Sequence, residues 1–180
     1  LKQSTLRRRP KILGVGSSTG GPQALMNFFS KLDHDLGVPV VVTQHMPAKF
    51  TTMLAKHITD RAGFPCVEGA DGMPLSAGQA IVAPGGYHMV IANEAGQDVV
   101  RLNEYPQENF CRPAVDPMFR SLVECFKDRV FAVVLTGMGS DGLNGGQRVV
   151  EAGGTLIAQD EKTSVVWGDA GRRRDGGNLQ

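Results

Sequence analysis

The sequence predicts an α/β fold: a doubly wound, mostly parallel sheet with helices on both faces and a short antiparallel insertion. Three observations carry that expectation. The β-branched runs at 38–43 and 130–135 are apolar almost throughout, as strands covered on both faces must be. Stretches of helical apolar spacing alternate with such runs; Ala24, Leu25, Phe28, Phe29 and Leu32 form the clearest stripe. Glycine-rich turns stand where strands hand over to helices.

Taken in order, residues 1–10 lack apolar periodicity and end at Pro10, so they read as a tether. Lys11 to Val15 forms the first buried strand. Gly20-Gly21-Pro22 opens a helix, because proline in the first turn gives up an N–H that has no helical partner anyway. The second strand, 38–43, leads through His45-Met46-Pro47 to a helix expected from about 50 to 62. Segments 79–83, 88–92 and 99–102 are short, strand-like and separated by turns at 84–86 and 94–98. Together they read as the antiparallel insertion. A polar loop through Asn109 precedes a helix at 115–126, and the buried strand 130–135 feeds the glycine-rich loop from Thr136 to Gly142. A helix to about Ala152 and a strand at 155–159 complete the pattern.

A chain of 180 residues suits one domain. No apolar run approaches the roughly 20 residues that span a bilayer, and no signal-peptide core is present. A cytoplasmic protein without direct membrane insertion is expected. The first residue is Leu1, which reads as the start of an excised fragment. The formal charge of +1 is unevenly spread, because the two ends are basic. Between Ile12 and Gly171 stand 11 basic and 17 acidic residues, which argues against a nucleic-acid-binding body. Arg7 to Arg9 reads as a solvated linker. Cys66, Cys111 and Cys125 lack metal-ligand spacing and read as reduced thiols.

Ligands of open α/β sheets bind beyond the carboxyl ends of the strands, so the residues that follow each buried run matter most. After the first run comes Gly16-x-Ser18-x-Gly20, the spacing of a nucleophile elbow. Such a turn projects the central hydroxyl near a helix N-terminus, where N–H groups favour developing negative charge. That spacing selects Ser18 over Ser17. After the second run comes His45, a candidate general base; His34, His57 and His88 sit in charged, helical and inserted segments respectively. After the third comes Asp141, a candidate for the carboxylate that orients the base. Asp160 also follows a strand and Asp116 begins a helix, so both remain rivals, and Asp141 could instead cap the helix that starts at Gly142. The order Ser, His, Asp differs from the Ser, Asp, His of α/β-hydrolases.

Gly14-Val-Gly-Ser-Ser-Thr-Gly-Gly21, Thr43-Gln-His-Met-Pro47, Ala83-Pro-Gly-Gly-Tyr-His88, Arg112-Pro-Ala-Val-Asp116 and Leu135-Thr-Gly-Met-Gly-Ser-Asp-Gly142 resemble the catalytic domain of chemotaxis protein-glutamate methylesterases. Ala158-Gln-Asp-Glu161 and Ser164-Val-Val-Trp-Gly168 extend the resemblance, which covers 11–168. It implies Ser18 as nucleophile, His45 as base and Asp141 as its partner. Thr19 would line the site, and the Met138 backbone N–H would contribute to an oxyanion hole. The implied reaction is hydrolysis of glutamate γ-methyl esters on methyl-accepting chemotaxis receptors, with deamidation of receptor glutamines as a second activity and no metal or organic cofactor. Residues 1–10 would then be the remnant of a linker to an N-terminal receiver domain.

The resemblance stops at Gly168. The family continues with a Met-Pro segment, a helix and a strand, whereas residues 169–180 form an atypical Arg- and Gly-rich tail, read here as the product of a one-base slip in the coding sequence. Two noncatalytic readings stand beside the hydrolase. One is a nucleotide-binding domain using Gly14, Gly16, Gly20 and Gly21, although Thr19 occupies the last position of G-x-G-x-x-G. The other is an interaction module.

Overall fold

The computed structural model describes residues 8–136 and 140–159. The expectations for Met138, Asp160 and the tail 169–180 lie outside the described residues. Among the described residues, eight strands and four α-helices follow one another: β1 (Ile12–Ser17), α1 (Gly21–Ser30), β2 (Val40–Gln44), α2 (Ala48–His57), β3 (Cys66–Glu68), β4 (Ala80–Val82), β5 (His88–Glu94), β6 (Gln97–Asn103), α3 (Val115–Phe126), β7 (Val130–Val134), α4 (Leu143–Glu151) and β8 (Thr155–Ala158). Among the described residues, no helix is long and apolar enough to cross a membrane.

Six strands form one sheet in the order β3-β4-β2-β1-β7-β8, and every pairing in it is parallel. The antiparallel insertion is the β5–β6 hairpin alone. Segment 79–83, expected within that insertion, instead supplies β4, which lies between β2 and β3. A three-residue strand flanked by turns carries no local mark of which sheet it will join. β3 went unrecognised for the same reason. The helix expected at 50–62 divides into α2 and a π-helical turn, Ile58–Ala62, that ends at Gly63.

Alternation along the strands feeds two cores. Leu13, Val15, Val40 and Val42 face α1 and α2, where Leu25, Phe29, Leu54, Ile58 and Phe64 are buried. Ile12, Val41, Ala132 and Val134 face the other way, against Met118, Phe119 and Leu122 of α3, Val149 of α4, and Met89, Ile91 and Val100 of the hairpin. Both faces are therefore covered, as an all-parallel sheet requires.

The chain first builds outward from β1 to β2, then returns to place β7 on the opposite side. Ser17 pairs with Gln44, and Gly16 with both Thr43 and Val134, so the carboxyl ends of β2, β1 and β7 lie level. The three strand ends thus lie side by side at this reversal of strand order. Phe119 is fully buried in the second core. Phe119→Ala should destabilise the domain by about 3–5 kcal/mol in urea unfolding, and a loss below about 1 kcal/mol would contradict this packing.

Candidate active site

β1 ends in a turn tied to both neighbouring strands. The Ser18 N–H donates to the Thr136 carbonyl beyond β7 at 2.8 Å. Its carbonyl accepts from Gln44 Nε2 at 2.9 Å and from the Gly21 N–H at 2.7 Å. Gly20 completes the turn at φ 74°, a left-handed conformation costly for side-chain-bearing residues. Gly16 allows the close approach of α3, since a Cβ there would lie 2.6 Å from Val115 Cγ1. The Ser18 hydroxyl thus projects from a backbone that three segments hold.

His45 Nδ1 lies 2.9 Å from Ser18 Oγ, and its Nε2 lies 2.5 Å from Asp141 Oδ2. In the neutral imidazole, a proton on Nε2 faces that carboxylate and leaves the Nδ1 lone pair to accept the Ser18 O–H. The two ring nitrogens are interchanged relative to the trypsin-type triad, yet the hydroxyl, imidazole and carboxylate follow in the same order.

Asp141 is 2 % exposed, but its carboxylate is fully engaged. Oδ2 also accepts the Val115 N–H at 2.6 Å, while Oδ1 accepts the N–H groups of Asp116 and Gly142, both at 2.9 Å, and Asn109 Nδ2 at 3.1 Å. Val115 and Asp116 are the first residues of α3, whose own N-cap, Ala114, has no side-chain hydrogen bond to offer. Burial pushes the Asp141 carboxyl upward, but the hydrogen bonds from His45, Val115 and Asp116 outweigh it and hold the group below its ordinary range.

A family model described as CheB methylesterase matches residues 13–174. The chain belongs to the CheB methylesterase family. It is 54% identical over 165 residues to "Protein-glutamate methylesterase/protein-glutamine glutaminase 1" of Rhodospirillum rubrum, covering 91% of this chain and 43% of that one. It is 53% identical over 164 residues to the protein-glutamate methylesterase/protein-glutamine glutaminase of Azospirillum brasilense, covering 91% and 42% respectively. The chain thus spans about two fifths of the length of these curated relatives. The crystal structure of the Thermotoga maritima CheB methylesterase catalytic domain superposes with a TM-score of 0.90 at 37% identity, over 93% of this chain and 89% of that chain.

In this CheB-family domain the fold brings Ser18, His45 and Asp141 into one hydrogen-bonded chain. Thr19 is exposed beside Ser18, and its carbonyl accepts Thr136 Oγ1 at 3.0 Å. His88 is buried, with its ring nitrogens bonded to the Pro106 carbonyl and the Ala114 N–H. Cys66 is buried, and burial pushes its thiol up to about 12, so it remains protonated at neutral pH.

The alternative role considered for Asp141 needs correction. Apart from its bond to its own neighbour Gly142, Asp141 satisfies α3 rather than the helix that follows it. Asp116 does the converse, since its Oδ1 accepts the Gly145 N–H in the first turn of α4 at 2.7 Å. Sequence reasoning also missed Gln44, whose amide clamps Ser18 and the His45 carbonyl while accepting the Ser17 hydroxyl at 2.6 Å. Its place beside His45 was the available signal.

A carboxyl held below its unfolded range contributes stability above that range and loses it as pH falls through the folded value. The stability difference between wild type and Asp141→Asn should be widest near neutral pH and narrow below about pH 4. Urea unfolding at a series of pH values measures it. A difference independent of pH would show that the carboxylate charge is not what α3 and His45 bind.

Proposed function

We propose that this domain is a serine carboxylic-ester hydrolase that removes methyl groups from glutamate γ-methyl esters of chemotaxis receptors. The observation that supports it best is the unbroken line from Ser18 Oγ through the His45 ring to Asp141 at adjacent strand ends. The names of the relatives support the substrate class, including glutamine side chains as amide substrates. Their extra length supports a further domain, for which a receiver domain is proposed, with residues 1–10 as part of the connecting segment. A cytoplasmic location follows from the same reading.

Ser18 Oγ attacks the ester carbonyl as its proton passes to His45 Nδ1. Asp141 holds the ring by Nε2 and stabilises the imidazolium so formed. Collapse of the tetrahedral intermediate expels the methoxy group, which takes the proton from Nδ1 and leaves as methanol. The glutamyl-serine ester that remains is attacked by water, whose proton goes to His45, and Ser18 is released with a free glutamate carboxylate. By the family resemblance, the Met138 N–H would contribute to the oxyanion hole and Thr19 would line the site.

Methanol release from methylated receptor membranes tests this. Ser18→Ala should lower it by about 10⁴-fold or more. Ser17→Ala should retain much more activity, because that hydroxyl is committed to Gln44. Full activity in Ser18→Ala would falsify the assignment.

A further inference from the structure

Two buried carboxylates lie close together behind His45: Asp116 is 1 % exposed and Asp141 is 2 % exposed. Like charges in a dry site oppose each other's ionisation unless donors are placed between them. Asn109 supplies that donor. Its Nδ2 donates to Asp116 Oδ2 at 2.9 Å and to Asp141 Oδ1 at 3.1 Å. The Ser140 hydroxyl donates to Asn109 Oδ1 at 3.3 Å, which fixes the end of the amide that faces the carboxylates.

The backbone beneath this amide is costly. Asn109 has φ 53° and Phe110 has φ 64°, both left-handed, at the centre of a tight turn. Glu108 and Cys111 close it with reciprocal hydrogen bonds of 3.1 and 3.0 Å. Glycine is the usual second residue when both central residues have positive φ. Here that position is Phe110, whose side chain, on a residue 95 % exposed, gains almost no burial to offset the strain. The turn is strapped to α3 by Arg120, whose guanidinium donates two hydrogen bonds to the Glu108 carboxylate at 2.8 and 2.5 Å. What this strained and anchored turn delivers is the Asn109 amide.

We propose that Asn109 is a positioning residue for the hydrolysis: its amide separates Asp116 from Asp141 and holds the Asp141 carboxylate in the orientation that receives the His45 Nε2–H. This rests on the Ser18–His45–Asp141 reading above. Asn109 does not reach Ser18 or the ester; it acts through Asp141.

The test compares methanol release from methylated receptor membranes by wild type, Asn109→Gly, Asn109→Gly/Asp116→Asn and Ser18→Ala. Glycine tolerates the left-handed backbone, so Asn109→Gly removes the amide while preserving the turn. It should lower kcat by about 10- to 100-fold with KM within about threefold, the pattern expected when a group that orients the base is lost. In the double variant, the Asp116→Asn change removes one charge, keeps an oxygen for the Gly145 N–H and turns an amide toward Asp141. It should restore kcat by about tenfold over Asn109→Gly. A folded Asn109→Gly with wild-type kcat would overturn the clamp, as would a loss that the second substitution does not relieve. If circular dichroism shows neither Asn109 variant folded, the residue is structural and the proposal fails. An inactive Ser18→Ala beside a wild-type Asn109→Gly would reject the clamp alone. A fully active Ser18→Ala would reject the nucleophile assignment and the clamp with it.

Discussion

Placing a negative charge where water cannot reach it demands several donors at once, and the Asp141 carboxylate meets that demand with groups from four parts of the chain. His45 comes from the end of β2, Val115 and Asp116 from the start of α3, Asn109 from the preceding loop, and Gly142 from its own turn. Removing any of these groups leaves a buried charge short of a partner, which costs more than the hydrogen bond itself contributes. The position of α3, the closure of the loop before it and the orientation of the imidazole are therefore consequences of one electrostatic requirement.

The exchange of carboxylates between helices follows from it. Neither α3 nor α4 has an N-cap side chain that bonds its own free N–H groups, since Ala114 and Gly142 stand there. Asp141, just ahead of α4, serves α3, while Asp116, in the first turn of α3, serves α4. Each helix dipole then stabilises a charge held by the other segment. The two helices are locked together at the end of the sheet where the chemistry is proposed, and Asp141 Oδ2 bonds both the Val115 N–H of α3 and the His45 ring. Bonding the first N–H groups of α3 and bonding the His45 ring, which look like competing tasks for Asp141, coexist.

On the other side of the imidazole, neutral groups do the corresponding work. Gln44 bonds Ser17, Ser18 and His45 with one side-chain amide, joining the ends of β1 and β2. Thr136 bonds both sides of the Ser18–Thr19 peptide from the end of β7. The hydroxyl and the ring therefore sit on parts of the backbone fixed by the sheet. That arrangement forms the Ser18–His45 contact without a substrate, so little reorganisation is left for the proposed reaction.

The periodicity of the chain was sufficient for its larger elements. The apolar run at Val130–Val134 and the stripe through Leu25 and Phe29 could only be satisfied by a sheet covered on both faces. The residues that follow β1, β2 and β7 were legible for the same reason, because strand ends in such a sheet define where a cleft opens. Local pattern could not place Ala80–Val82 in the main sheet or reveal Cys66–Glu68, since three residues do not specify a partner. Nor could it choose among Asp116, Asp141 and Asp160, because a carboxylate's role depends on which donors surround it. Asn109 was hidden most completely: its partner Asp141 lies 32 residues away, and its turn carries a phenylalanine where glycine would have signalled the conformation. The sequence alone determined which of the longer segments become strands and helices, since burial periodicity is a local property. Tertiary structure decided which polar groups meet, because hydrogen bonds and charge burial depend on distances that only the folded chain sets.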